Sequence, residues 1–324
     1  MFHRNGNRRG FTLVELLTVI AIVAILVGLL FPAIQTIRES ARKSQCMQHI
    51  RSLTMGLQNY HSSKGHFPMG VYGRHQDLVT LDPTGDEADH GSGVGEDERA
   101  SQGAAWSAYV LPYIDQKSVY ADLDLGLSTS GTGGWSVAGT GNYEAIQTYL
   151  DVFRCPSDFA PEHFDDNFVP KRVPATYVGC AGDNQVDDNL RSGGNYVSST
   201  MDPGIANGLL FNRSRVSMDS IQDGASNTII VGEAQFNWEE QMDRWYIGSR
   251  HVDQCIDLTE FLCSMSVELD TTSEFAFGSW HSGGFINFGF ADGQTQTLSS
   301  DIDPVIRRAL GTRDGLEKIP QDTF

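Results

Sequence analysis

Arg8-Arg9-Gly10-Phe11-Thr12-Leu13-Val14-Glu15-Leu16-Leu17 opens an apolar run that continues to Phe31 and decides how the rest of the chain is organised. Of the 21 residues from Phe11 to Phe31, only Thr12, Glu15 and Thr18 carry polar side chains. At a rise of about 1.5 Å per residue, such a helix is about 31 Å long and crosses a hydrocarbon core of about 30 Å. A carboxylate at that depth costs several kcal/mol unless it is partnered, so Glu15 requires a compensating group. An ordinary signal peptide or signal anchor is the plainer reading. It fits poorly, because its apolar region covers about 7–15 residues and ends in an Ala-x-Ala-like site.

Beyond Pro32 the pattern changes from uniformly apolar to periodic. Ile34, Ile37, Ala41, Ile50, Leu53, Leu57 and Tyr60 recur at helical spacing with polar residues between them, the signature of an amphipathic helix. Pro32 is expected to bend the rod rather than end it. From Phe11 to Ser62 is 52 residues, so about 78 Å of helix. Lys64-Gly65-His66-Phe67-Pro68 supplies the stop. The chain thus divides into a leader (1–10), a helix (11–63, transmembrane over 11–31) and a head (64–324).

The head is acidic. The whole chain carries a formal charge of −18, and the leader holds Arg4, Arg8 and Arg9, so its loss would leave the remainder more acidic still. That balance disfavours nucleic acid as a partner and can attract divalent cations. Basic residues cluster near the anchor (Arg38, Arg42, Lys43, Arg51) and flank both ends of the span. The positive-inside rule alone therefore does not orient it. The leader does: Arg8 and Arg9 stay inside and the C-terminal body is exported.

Five cysteines in an exported chain suggest two disulfides and one leftover thiol, with five buried reduced thiols as the other reading. Pairing is not legible in sequence. The expectation adopted is Cys155 with Cys180 and Cys255 with Cys263, leaving Cys46 on the helix unpaired.

Residues 73–104 read as a loop in which Asp82, Asp86, Glu87, Asp89, Glu96, Asp97 and Glu98 lie among Gly and Ser. It is solvated or ordered by a cation such as Ca²⁺, although no EF-hand spacing is present. Trp106–Asp124 contains enough aromatics for a core element, and Ser128–Asn142 is a Gly, Ser and Thr rich loop. Ala206–Phe211 and Thr228–Gly232 read as short strands, joined through the turn-rich segment Ile221–Asn227. Phe285–Phe290 alternates Ile286, Phe288 and Phe290 onto one face. Ala291-Asp292-Gly293-Gln294 turns the chain and Thr295–Leu298 returns. Ile302–Leu310 closes the chain as a helix. The fold class is α+β: a long helix packed on a mostly antiparallel β head.

The stretch Arg9-Gly10-Phe11-Thr12-Leu13-Val14-Glu15-Leu16-Leu17 resembles the N-terminal signal of type IV prepilins and type II secretion pseudopilins. That resemblance implies cleavage by a prepilin peptidase after Gly10, N-methylation of Phe11, and Glu15 as fifth residue of the processed chain. There its carboxylate would meet the terminal ammonium of a neighbouring subunit, the partner a lipid-buried acid needs. A second set of segments resembles a planctomycete-type family that joins this helix to a large domain of unknown function. The set comprises Gln45-Cys46, Gly65-His66-Phe67-Pro68, Leu111–Gln116, Cys155-Pro156-Ser157-Asp158, Asp223–Glu233, His281-Ser282-Gly283-Gly284, Asp292-Gly293 and Ala309–Arg313. Ten residues separate His281 from Asp292, where the family pattern has nine, and Cys180 stands where it has Asn. An extra residue in a strand reverses side-chain facing unless a bulge absorbs it.

His281 with Asp292 could be an acid–base pair or half a metal site, but His-Ser-Gly-Gly as a turn and Asp-Gly as a hairpin tip are the commoner structures. Glu233 reads as a strand-end acid before a buried ligand. Trp135, Trp238, Trp245 and Tyr246 read as core packing before a carbohydrate-stacking surface. No Gly-x-Ser-x-Gly, His-Glu-x-x-His, Cys-x-x-Cys, Walker or Gly-x-Gly-x-x-Gly motif occurs. The expectation is a non-enzymatic pilin- or pseudopilin-like envelope protein without a cofactor. It would be single-pass in the inner membrane, its head periplasmic or at the cell surface, with pilin-type subunits as partners. The alternative is a singly anchored binding module for polysaccharide, peptide or cation.

Overall fold

The computed structural model describes residues 12–71, 104–125, 138–166, 169–183, 191–192, 195–196, 206–211, 214–237, 244–248, 262–271, 273, 276–317 and 319. Helix α1 (Leu13–Lys64, 52 residues) is continuous through Pro32. Thr12 caps it: its hydroxyl accepts the Glu15 N–H at 3.2 Å, while the Glu15 carboxylate accepts the Thr12 N–H at 2.9 Å. This reciprocal box satisfies two backbone donors that a helix start leaves unpaired. At the far end Gly65 adopts φ 81° and donates to the His61 carbonyl at 2.7 Å, a left-handed cap that suits glycine.

The two halves of α1 differ. Side chains from Leu13 to Ile37 are exposed on every side of the helix, whereas Cys46, Ile50, Leu53, Thr54, Gly56, Leu57 and Tyr60 are buried. The periodic stripe therefore does pack on the head, but from Cys46 onward; Ile34 and Ile37 extend the bare apolar surface.

Short helices α2 (Trp106–Val110) and α3 (Lys117–Ala121) flank a 3-10 turn at Leu111–Tyr113, and α4 (Gly141–Ile146) precedes a second turn at Asp151–Phe153. Strands β1 (Phe164–Asp166) and β2 (Val169–Arg172) form an antiparallel pair, as do β4 (Arg191–Ser192) and β5 (Asn195–Tyr196). The central sheet has five strands: β3 (Tyr177–Cys180), β6 (Ile229–Glu233), β7 (Leu262–Cys263), β8 (Phe285–Phe290) and β9 (Thr295–Ser299). Their order is β7-β3-β6-β8-β9; only the β3–β7 pairing is parallel. Helix α5 (Pro304–Ala309), capped by Asp303, ends the described fold.

The sheet is covered on both faces, which is why β8 is buried from Ile286 to Phe290 rather than at alternate positions. Ile286, Phe288 and Phe290 join Val178, Ile229, Phe277 and Leu310 in one core. On the other face α1 lies directly over the strands. A Cβ at Gly289 would collide with Thr54 and stand 3.0 Å from Ile50 Cγ2, so a bare backbone there admits the helix. Gly56 serves the same end on α1, where a Cβ would come within 2.6 Å of Val110 and 2.7 Å of Ile114. Each fully buried Ile or Leu of this interface contributes about 1.5–3 kcal/mol.

One expected strand is absent. Ala206–Phe211 runs beside β3, with Gly208 N–H donating to the Ala181 carbonyl and Leu210 N–H to Cys180. Arg313, however, takes the carbonyls of Ala206 and Gly208 at 2.9 and 2.8 Å, and the segment forms bends.

Candidate functional site

Where α1 meets the head, four elements bring titratable groups together in a buried cluster. Glu39 and Cys46 lie two helical turns apart on the same face of α1. Cys155 follows the Asp151–Phe153 turn, its N–H fixed on Thr176 Oγ1 at 2.6 Å. Glu233 ends β6, and His281 precedes β8. Cys46 and Cys155 are joined by a disulfide, which ties the rod covalently to the head across 109 residues of sequence.

His281 sits between two carboxylates. Its Nδ1 is 2.7 Å from Glu39 Oε1 and its Nε2 is 3.3 Å from Glu233 Oε1; Cys155 Sγ lies 3.5 Å from the same Nε2. Glu233 is held in turn by Asn287, whose backbone N–H donates to Oε2 at 2.9 Å and whose side-chain amide donates to Oε1 at 3.0 Å. Thr297 on β9 donates to Asn287 Oδ1 at 2.6 Å and fixes that amide. Ser157 donates to Glu39 at 3.0 Å, and Arg42 stands 3.6 Å from its other oxygen.

The electrostatics follow from this packing. Burial pushes the His281 imidazole toward its neutral form, but the hydrogen bonds and charges of Glu233 and Glu39 outweigh it and raise its pKa above the ordinary histidine value. Burial likewise pushes Glu39 up. Hydrogen bonds from His281 and Ser157, with the charges of His281 and Arg42, win and hold it below the usual carboxylate range. The arrangement is thus a Glu39–His281–Glu233 bridge beside a disulfide. An open cleft of about 460 Å³, lined by Gln35, Thr36, Arg38, Glu39, Arg42 and Ser282, gives access at the Glu39 edge. The ligand atoms of Cys46, Cys155, Glu233 and His281 all lie within 4.8 Å of one another, and all four residues are buried, a donor set that a divalent cation could use.

Several sequence expectations change here. Cys155 does not pair with Cys180: its sulfur is bonded to Cys46, the residue expected to be left over. Cys180 and Cys263 are buried free thiols, opposite one another in the β3–β7 register. Burial pushes them up to about 12 and about 11, which makes them poor nucleophiles. The pairing of Cys263 with Cys255 fails on the same free thiol, while Cys255 itself lies outside the described residues. The reason is tertiary: packing α1 across the sheet carries Cys46 to Cys155. Glu39, unassigned from sequence, is a central member of the cluster; its spacing from Cys46 was the available signal.

His281 and Asp292 do not form a pair. Asp292 is at the exposed hairpin tip, accepting Gln294 N–H at 2.9 Å and its side-chain amide at 2.6 Å. Glu233 is the strand-end acid expected, and also a buried one. Trp245 and Tyr246 are core residues; Trp245 carries the Arg172 guanidinium 4.2 Å above its ring. Trp135, Trp238, the acidic loop over residues 73–103, Gly10 and Phe11 lie outside the described residues. Glu15 is described, and its carboxylate caps its own helix start.

A bare apolar half-helix continued into a covalently stapled rod and head defines a membrane-anchored, pilin-like architecture. The prokaryotic N-terminal methylation motif matches residues 5–31, which marks a type IV pilin-like precursor carrying a prepilin peptidase cleavage site; with the one long apolar helix among the described residues it marks a single-pass membrane anchor. The family described as a protein of unknown function (DUF1559) matches residues 35–305, most of the chain, and the chain belongs to that family. No curated protein and no solved structure matches it.

Proposed function

We propose that this protein is a structural subunit of a cell-envelope fibre or secretion pseudopilus. In this reading it is cleaved after Gly10, N-methylated at Phe11 and held in the inner membrane by residues 11–31, with its head exported. The observation that carries the proposal is the division of α1. About 25 residues of helix, Leu13 to Ile37, most of them apolar, are left bare on all sides while the remainder packs on and is bonded to the head. A helix apolar all round is stable only in lipid or among similar helices, and a fibre core supplies the second once the subunit leaves the first. Glu15 then guides docking: its carboxylate, satisfied by Thr12 in the isolated chain, gains the terminal ammonium of a neighbour. No catalytic role is assigned to the head.

The test is Glu15→Ala. Processing should persist, while recovery of the protein with sheared fibres or pilin-type subunits falls to background; recovery at the level of the unsubstituted chain would contradict the docking role. The second reading, a singly anchored binding module, rests on the bulk of the head, which is awkward in a densely packed homopolymer. It predicts that the unsubstituted protein also stays with the membrane after shearing.

A further inference from the structure

The Cys46–Cys155 disulfide lies in one buried cluster with Glu233 and His281. We propose that, in the reduced chain, Cys46, Cys155, His281 and Glu233 form a closed tetrahedral site for Zn²⁺, which replaces the disulfide as the staple between rod and head. This inference is independent of fibre assembly.

All four donor atoms lie within 4.8 Å of one another, and two of their spacings are already those of a zinc site. Tetrahedral ligands at zinc bond lengths of about 2.0–2.3 Å place sulfur and nitrogen about 3.6 Å apart, and nitrogen and carboxylate oxygen about 3.4 Å apart. Here Cys155 Sγ lies 3.5 Å from His281 Nε2, and that nitrogen lies 3.3 Å from Glu233 Oε1. The sulfurs must part from bonding distance to about 3.8 Å, a movement of about 0.9 Å for each side chain.

The outer groups are already those of a metal centre. A ligating histidine usually donates its other ring N–H to a carboxylate, and His281 Nδ1 faces Glu39 Oε1 at 2.7 Å. A ligating carboxylate is usually hydrogen-bonded in turn, as Glu233 is by both N–H groups of Asn287. Two thiolates, a carboxylate and a neutral imidazole select a borderline-soft cation over Ca²⁺ or Mg²⁺.

The chemistry balances with a trialkylphosphine as reductant. Phosphorus gives two electrons to the S–S bond and takes oxygen from water, becoming phosphine oxide. The two protons of that water leave Cys46 and Cys155 as thiols. Zn²⁺ then displaces the two thiol protons, and any proton on His281 Nε2, into solvent and forms two Zn–S bonds, one Zn–N bond and one Zn–O bond.

The experiment is equilibrium dialysis of the full chain in detergent against Zn²⁺, with and without phosphine, followed by metal analysis. The expected result is one zinc per reduced chain and none in the disulfide form. Co²⁺ in place of Zn²⁺ should give thiolate-to-cobalt charge-transfer absorption in the reduced wild-type chain, a readout that needs no variant to fold. Cys155→Ser should lower affinity at least 100-fold, and Glu39→Gln about 10- to 100-fold at unchanged stoichiometry. No zinc uptake by the reduced chain, equal uptake by the disulfide form, uptake undiminished in Cys155→Ser, or a cobalt spectrum without thiolate bands would each overturn the site.

Discussion

The two halves of α1 carry the same kinds of apolar residue and meet opposite fates. Leu26 is 53% exposed and Leu53 fully buried, yet both belong to one unbroken helix. The difference lies in what polar residues do between the apolar ones. In the first half there are almost none, so every face repels water and no face is directed at the head. In the second half the polar positions define a stripe, and the stripe finds the sheet, Gly289 and the sulfur of Cys155. One half is left bare; the other is consumed within the chain.

The largest stability effect expected is loss of the staple. Replacing Cys46 and Cys155 together by Ser removes a cross-link over 109 residues, which should cost on the order of 2–5 kcal/mol and lower the melting temperature by roughly 5–15 °C. Calorimetry of the detergent-solubilised chain checks this, and an unchanged transition would show that rod and head hold together without the bond. Leu53→Ala should follow, destabilising the head by about 2–5 kcal/mol, whereas Leu26→Ala should leave its transition unmoved. Equal shifts for the two would erase the contrast between the halves.

The smallest effect concerns Asp158, three residues beyond Cys155. Burial raises its carboxyl from the ordinary value to about 6, despite the Ala160 N–H that it accepts. A carboxyl whose pKa is higher folded than unfolded stabilises the fold while it stays protonated. That contribution is lost as pH rises from its unfolded value of about 3.9 through about 6. Asp158→Asn should therefore raise the melting temperature by a few degrees at pH 8 and change it little at pH 4. A thermal-shift series across that range reads the difference, and an equal effect at both pH values would refute the buried-carboxyl account.

Sequence made the rod and the closing hairpin legible, because both rest on local periodicity: a run without polar interruption, and Ile286, Phe288 and Phe290 alternating ahead of Asp292-Gly293. The α+β class followed from these. The disulfide was not legible, since Cys46 and Cys155 meet only after α1 has crossed the sheet. Glu39 was passed over because an acid on an amphipathic helix ordinarily faces solvent. Ala206–Phe211 looked like a strand by composition but forms bends, two of whose carbonyls accept from Arg313, a hundred residues further on. What was missed in each case depends on long-range placement.

The central claim is that the bare half of α1 begins at a processed terminus. Intact-mass and N-terminal analysis of the protein from native membranes tests it directly. A chain beginning at N-methyl-Phe11 is the result the account predicts. A chain still carrying Met1–Gly10, or one cut beyond Phe31, would contradict it.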